Sequence, residues 1–546
     1  MKYLLMLIVA MGVSLVTIPL LARLAPHIGL LDQPNARKVH HLPIPRVGGL
    51  GVVFGVLLTI VVWSSTFNEV VISYLSGVSI LLLFGVMDDR NTLTPTVKFV
   101  GQIIAVLPMV FYADLYVSHF PFFKHTVVPP SIGIPFTMIA VTGVVNAVNT
   151  SDGLDGLAGG EVLISLFGIS ALAFAASGDT LLLIAAATMG GVIGFLRYNT
   201  QPARIFMGDT GSQFLGFAVA FLVVYLTQDV NIKLRPAIVL LLLGLPIADL
   251  FIVAIRRLRR GVSPFSPDKD HLHHRLMKLG FTHQRTVVIV YSIQTLMVVS
   301  GVAFRNFPDW VHIVVYLIFC GLLVGTVSAA ERGGWHASRA PSLARLLTFG
   351  AGTNGGQANI LVWGPRRLLE VAIPLYLFTA IFVSDSLPRG FAALGVLAAI
   401  LLIVQFKLPE RPALILKRLA VFGVVAVLGF ALAYHADIND LISRRLEQAY
   451  LVMVGFSVAI AIKLSPRRRE QEFLTTPLDF LVGMILIVIL VASDYLPMDR
   501  ANAGLIVRIV VLFYASELLI FERRQGFDLF GTGCLIAALG IIFKAL

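Results

Sequence analysis

The sequence predicts an all-α protein that crosses a membrane many times, and three observations carry that prediction. Only 13% of its 546 residues are charged, where a soluble domain carries about a quarter. The mean hydropathy is +0.89. Apolar runs of roughly 17–25 residues recur along the whole chain, the length that spans a bilayer as a helix.

The first run covers about 3–22. It is longer than the apolar core of a signal peptide, and no small-residue cleavage pattern follows it. It is therefore expected to stay in the mature protein as the first membrane helix. Further runs follow at about 49–65, 70–87, 98–116, 132–148, 161–177, 180–197, 213–228, 236–255, 286–305 and 310–329. Beyond residue 330 the character changes. Residues 331–369 are polar and rich in Gly, Ala and Arg, and roughly seven more apolar runs occupy 370–546. The expected organisation is a membrane domain of about eleven helices over 1–330, a polar linker over 331–369, and an additional membrane domain of about seven helices over 370–546 to which the sequence assigns no role.

The net charge is +12 and the pI about 9.8. The basic residues sit in short loops between apolar runs, which sets topology and meets anionic lipid, and excludes nucleic acid as a partner. The loop at 23–48 holds Arg23, Arg37, Lys38 and Arg46. The loop at 256–285 holds Arg256, Arg257, Arg259, Arg260, Lys269 and Arg275. The loops between them at 66–69, 178–179 and 306–309 are almost free of basic residues. The basic loops are thus expected in the cytoplasm and the N-terminus outside. The loops at 88–97, 149–160 and 198–212 then also face the cytoplasm. Cys320 and Cys534 lie inside apolar runs and show no metal or disulfide spacing.

Four polar clusters collect at that face. Asp88 and Asp89 end the third run; adjacent carboxylates near lipid repel each other, and a divalent cation or a proton relieves the repulsion. An ordinary acidic helix end is the plainer reading. Lys98 opens the next run, as a phosphate ligand or a topology anchor. The second cluster runs from Asn146 through Asn149, Asp152 and Asp155 to Gly160. If the segment is helical, the two Asn share a face, as do the two Asp. The third cluster, Arg204 to Ser212, places Asp209 in an amide-rich Gly-Asp-Thr-Gly-Ser loop suited to phosphate and Mg²⁺. Phe206 stands ready there for a base or for packing. The fourth runs from Ser266 through Asp268, Lys269 and Asp270 to His271, His273, His274 and Arg275. It suits a metal or an anion, and its basic flank favours phosphate. Asp249 lies inside an apolar run, where a carboxylate marks function by default; pairing with Arg256 is the alternative.

These pieces together resemble the polyprenyl-phosphate N-acetylhexosamine-1-phosphate transferases, the superfamily that includes the phospho-N-acetylmuramoyl-pentapeptide transferases. The resemblance rests on Asp32 to His40, Pro43 to Gly49, Asp88-Asp89-Arg90, Asn146 to Ala158, Phe206 to Ser212, and His271-Leu272-His273-His274, in family order over residues 1 to about 330. Leu272 interrupts the histidine run, and the eleven-helix count with an outside N-terminus is similar to the undecaprenyl-phosphate N-acetylglucosamine-1-phosphate transferase branch, glycosyltransferase family 4.

The resemblance implies a Mg²⁺-dependent enzyme of the bacterial inner membrane, with Mn²⁺ an alternative ion. It implies transfer of N-acetylglucosamine 1-phosphate from a UDP-sugar to undecaprenyl phosphate, with release of UMP, at the cytoplasmic face. Such a step initiates cell-envelope polysaccharide synthesis, and a homodimer is possible. Asp88 and Asp89 are implied in catalysis, Asp88 and Asp209 in metal binding, and Lys98 in holding phosphate. Asn149, Asp152 and Asp155 shape the nucleotide site, Phe206 stacks on uracil, and His271, His273 and His274 meet phosphates or sugar. Two rivals stand beside this reading. One is muramoyl-pentapeptide transfer; the other is a transporter with Asp249 on its path, against which the clusters gather at one face and not at the midplane.

Overall fold

The computed structural model describes residues 2–33, 43–64, 67–122, 127–263, 270–337, 360–383, 390–407, 410–434, 500–522 and 529–545, with a few single positions near 387, 449–457 and 482. The chain divides into two compact units, one of Met1–Pro341 and Thr476–Pro497 and the other of Ser342–Thr475 and Met498–Leu546.

The first unit is a helical bundle. In chain order it comprises α1 (Lys2–Ile28), α2 (Gly48–Trp63), α3 (Glu69–Asn91), α4 (Pro95–Leu107), α5 (Pro130–Ser151), α6 (Leu157–Ala175), α7 (Asp179–Asn199), α8 (Gly208–Tyr225), α9 (Val239–Leu242), α10 (Gly244–Arg259), α11 (Leu272–Lys278), α12 (His283–Ala303) and α13 (Asp309–Arg332). A two-residue antiparallel pair, Leu31–Asp32 with Ile44–Pro45, is the only sheet among the described residues. Local chemistry sets many boundaries. Asn68 caps α3 by accepting the Val71 N–H at 2.9 Å. Thr92, left-handed at φ 47°, ends it, and Pro95 opens α4 at a position that needs no donor.

Among the described residues, nine helices are long and apolar enough to cross a membrane. Pro236–Leu242 and Gly244–Arg259, bent by 85° to each other, make a tenth where the pair is counted as one span. The helix α2 is apolar but has only 16 residues. The chain is thus an all-α, multi-pass membrane protein; the expected count of eleven plus seven is not met among the described residues, and much of the stretch expected to hold the last seven runs lies outside them. The run expected as one helix at 236–255 is broken because Pro246 has no N–H to give the preceding turn. Gln294 on α12 satisfies the freed backbone, accepting from Leu245 N at 2.9 Å and donating to the Leu242 carbonyl at 3.0 Å.

The centre of the bundle is α8, buried on every side. Phe214, Phe217 and Phe221 are fully enclosed, and Tyr74 of α3 packs edge-on to Phe221 at 5.1 Å between ring centroids. Small residues let the helices close in. A Cβ added to Gly216 would lie 2.6 Å from the Val145 Cα, and one added to Gly85 would lie 2.5 Å from the Thr210 Cα. At the periphery, α1 and α13 are mostly exposed, as lipid-facing helices are.

In the second unit the described helices are Ile360–Val383, Gly390–Val404, Glu410–Tyr434, Arg500–Glu522 and Leu529–Ala545. They bury an apolar core of their own around Leu377, Leu402, Val425 and Leu512. Arg418 and Glu517 form an ion pair there. The stretch expected as a polar linker is described only at its ends: 331–332 close α13 and 360–369 open a helix.

Candidate active site

Helix ends and short turns carry the polar clusters to one place. Asp88 and Asp89 lie in the last turns of α3, not in the loop beyond it. Asp88 is 2% exposed. Its Oδ1 accepts the Leu93 N–H at 2.7 Å, and its Oδ2 lies 2.5 Å from Lys98 Nζ. Lys98, in the first turn of α4, also stands 3.7 Å from Asp209 Oδ2 in the first turn of α8. One ammonium therefore bridges carboxylates from two other helices.

Asp89 is used differently. Its Oδ1 accepts the Asp209 N–H at 2.8 Å, and its Oδ2 accepts the Thr210 N–H at 3.0 Å and the Thr210 hydroxyl at 2.7 Å. It caps the amino end of α8 from a neighbouring helix, satisfying amides that a helix start leaves open. Gly208 makes this possible. It has φ +74°, and a Cβ there would lie 2.5 Å from Asp89 Oδ2.

The 146–155 segment lies against this assembly. Asn146 and Asn149 are helical, on the last turns of α5, while Asp152 and Asp155 belong to the turn that follows. Asn146 donates to Gln102 Oε1 at 2.7 Å, and Gln102 donates to Gln213 Oε1 at 3.2 Å. Asn149 accepts from the Ser212 hydroxyl at 2.5 Å. Asp155 accepts the Ala203 N–H at 3.0 Å. Asp152 is half-buried. Desolvation, then the charges of Asp209, Asp89 and Asp155, pushes its carboxyl up to about 7. Phe206 is half-buried. Its N–H donates to Pro45 O at 2.8 Å, and its carbonyl accepts from Gly48 N at 3.0 Å. The Pro43–Gly49 motif is thus a brace for Phe206–Met207 and the start of α8, and the Gly208–Ser212 stretch expected as a loop is the first turn of that helix.

The histidines arrive from α11 and the residue before it. His271 Nδ1 lies 2.7 Å from Asp249 Oδ2, and the Leu272 N–H donates to Asp249 Oδ1 at 2.8 Å. The pairing of Asp249 with Arg256 is therefore corrected. Those residues stand roughly 10 Å apart along the helix axis, and the nearer donors of α11 take both carboxylate oxygens; Arg256 instead donates to Ser328 Oγ at 3.2 Å. His273 is 3% exposed. It presses on Gly153, where a Cβ would lie 2.3 Å from His273 Nε2. Desolvation, then the neighbouring His274, lowers its pKa to about 3, so it is neutral at physiological pH. The His274 ring packs 4.2 Å from His273. The motif pieces at 34–42 and 264–269, including Asp268 and Lys269, lie outside the described residues.

Asp88 and Asp209 already draw one cation between them, the Lys98 ammonium. Two hard carboxylates suit a divalent ion that completes its shell from phosphate oxygens and water. Among the described residues no three His, Cys, Asp or Glu side chains are grouped to hold a metal by themselves.

A family model for glycosyl transferase family 4 matches residues 71–227, the stretch that contains Asp88, Lys98, Asp152 and Asp209. The probable undecaprenyl-phosphate N-acetylglucosaminyl 1-phosphate transferase of Bacillus subtilis (strain 168) is 34% identical over 335 residues, 60% of this chain and 92% of that protein. The chain belongs to glycosyl transferase family 4. The undecaprenyl-phosphate alpha-N-acetylglucosaminyl 1-phosphate transferases of Escherichia coli (strain K12) and Salmonella typhi are 30% and 31% identical, each over 54% of this chain and 83% of theirs. These alignments leave two fifths or more of this family member unmatched.

Sequence reasoning gave no role to several residues that build the site. Thr210 and Ser212 sit inside the Phe206–Ser212 motif, so a signal existed. Gln102, Asn199 and Tyr291 had none, because their partners are distant in sequence. Asn199 accepts the Gly156 N–H at 2.8 Å, and the Tyr291 hydroxyl donates to the Gly156 carbonyl at 2.6 Å. Glu161, 3% exposed on α6, also escaped notice.

Proposed function

We propose that this chain transfers N-acetylglucosamine 1-phosphate from UDP-N-acetylglucosamine to undecaprenyl phosphate, releasing UMP, at the cytoplasmic face of the bacterial inner membrane. The observation that carries the reading is the Lys98 ammonium between Asp88 and Asp209, held by three helix ends. The printed names of the relatives support the donor sugar and the acceptor lipid.

In this reaction an oxygen of the acceptor phosphate attacks the sugar-bearing phosphorus of the donor. The bond from that phosphorus to the uridylyl phosphate breaks, and its electron pair leaves on UMP. One pyrophosphate replaces another, so the difficulty is bringing two anions together. Asp88 and Asp209 would hold Mg²⁺, or Mn²⁺ in its place, which when bound neutralises pyrophosphate charge and orients it. Lys98 holds the acceptor phosphate and offsets its charge. Asp88 takes a residual proton from that phosphate where one is present. Asp89 does not touch the reactants in this scheme; it fixes Asp209 through the amides at the start of α8. Asn149, Asp152 and Asp155 shape the nucleotide side, and Phe206 stacks on the base. His271, with Nδ1 held by Asp249, turns Nε2 toward the phosphates or sugar beside His273 and His274.

The test uses the purified full chain with undecaprenyl phosphate, UDP-N-acetylglucosamine and Mg²⁺, and identifies the nucleotide released. UMP, lost on chelation and in Asp209→Asn, is the expected result. UDP would mean transfer of the sugar without its phosphate and would overturn the scheme.

A further inference from the structure

A cavity of about 290 Å³ lies between the ends of α10 and α13, lined by Arg256, Arg259, Arg260, Ser328, Glu331 and Arg332. That size sits at the lower edge of small-ligand pockets, about 300 Å³. Neither Asp88, Lys98 nor Asp209 lines it, and neither does any of the three histidines.

The lining is dominated by positive charge. Four guanidinium groups face one carboxylate, and that carboxylate is engaged elsewhere: Glu331 accepts from Arg275 at 2.8 and 2.7 Å through its two oxygens. Arg256 reaches across to Ser328 and ties the two helices, and Arg260 pairs with Asp270. Arg259 and Arg332 are exposed at the rim. The macrodipole accounts for an arginine at the carboxyl end of each helix. It does not account for two helices turning their arginines onto one open cavity, where the charges repel. An anion in the cavity removes that repulsion.

A second observation says which kind of anion. Both helices carry exposed apolar residues before their arginines. On α10 the stripe is Phe251, Ile255 and Leu258, at 59%, 48% and 61% exposure, just before Arg259. On α13 the exposed residues are Ile318 and Leu322, at 55% and 61%, about 21 and 15 Å before Arg332 along the helix axis. Helical spacing stacks the members of each stripe along one side. Helix α13 has the length and apolarity of a membrane span, and α10 belongs to a bent pair that has them together, so the stripes are placed to meet acyl chains. A soluble anion uses the arginines only; a phospholipid uses the arginines and the stripes together.

We propose that this cavity binds the phosphate of an anionic phospholipid, whose acyl chains lie along the exposed faces of α10 and α13. The site is independent of the transfer reaction and stands whatever sugar the enzyme uses. Each arginine beside an anionic surface contributes about a fivefold gain in binding.

The test is native mass spectrometry of the full chain released from nanodiscs of mixed phosphatidylglycerol and phosphatidylcholine. The wild type is expected to retain phosphatidylglycerol over phosphatidylcholine, and millimolar inorganic phosphate is expected not to displace it. Arg259→Gln with Arg332→Gln should lower retention of phosphatidylglycerol by about twentyfold or more, with UMP release in phosphatidylcholine discs unchanged. The Arg259→Lys, Arg332→Lys pair keeps the charge and should retain most of the lipid, which separates lost binding from lost folding. Equal retention by the Gln pair and the wild type would overturn the proposal. So would full displacement by inorganic phosphate, which would assign the cavity to a soluble anion.

Discussion

Asp89 accepts both the backbone N–H and the hydroxyl of Thr210, at 3.0 and 2.7 Å, and so clamps the end of α3 to the start of α8. The same carboxylate accepts the Asp209 N–H. A residue that looks like one half of a catalytic pair is, in its contacts, a cap that aims its neighbour. Asp89→Ala should therefore cost about 1–3 kcal/mol of stability together with most of the activity, while Thr210→Val should cost about 0.5–1.5 kcal/mol. Thermal unfolding in detergent beside UMP release measures both. An Asp89→Ala protein of unchanged melting temperature would refute the capping role.

Lys98 is expected to act on phosphate more than on folding. Lys98→Met should lower turnover about a hundredfold or more, with a raised KM for the lipid acceptor. The loss leaves the Asp88 carboxylate buried without its cation, so Lys98→Met paired with Asp88→Asn should recover stability but not turnover. Recovery of turnover in the pair would contradict a phosphate-holding role.

Gly208 combines a left-handed backbone with an approach to Asp89 that leaves no room for a Cβ. Gly208→Ala should destabilise by about 1–3 kcal/mol and abolish activity. Gly143 on α5 has nothing within 4 Å of where a Cβ would stand, and Gly143→Ala should be neutral or stabilising by up to about 1 kcal/mol. Comparing the two melting temperatures separates a steric requirement from helix propensity.

Two groups outside the spans give opposite pH signatures. His273 has a folded pKa lowered to about 3, so between about 3 and its ordinary 6.5 the unfolded chain binds the extra proton. Stability from this residue is whole above 6.5 and falls as pH falls. Asp152 has a folded pKa raised to about 7. Its penalty is absent below the usual carboxylate range, grows as pH rises through that window, and is complete above 7. Melting curves across pH 4–8 for His273→Gln should flatten the acid-side loss, and Asp152→Asn should raise the melting temperature near pH 8. Mg²⁺ should stabilise the wild type more at pH 8 than at pH 5. No pH dependence of that Mg²⁺ effect would count against an ion bound near Asp152.

Gln294 bridges the break between α9 and α10 by serving Leu245 N and Leu242 O together. Gln294→Leu leaves those groups open inside the membrane and should cost about 1–3 kcal/mol. It should also impair turnover, since α10 carries Asp249, which holds His271. A His271 ring NMR signal unchanged in that variant would show the break to be self-supporting.

The membrane class, most of the apolar helices of the first unit and the polar clusters at their ends were legible in the linear chain. Too few charges, runs of spanning length, and Asn, Asp, Gly and His gathered at run ends are local properties. Composition and period carry them without any folding. What each polar residue does emerged on packing alone. Asp88 and Asp89 are neighbours with the same chemistry, yet one faces Lys98 and the other faces the amides of α8. Asp249 pairs with His271 and not with Arg256, and Gln294 closes a break in what reads as one continuous apolar run. Those outcomes depend on which donors lie within about 3 Å after helices far apart in sequence have packed. Nothing in a linear pattern encodes that distance, because it is set by small residues such as Gly208, Gly85 and Gly216 letting α8 approach its neighbours.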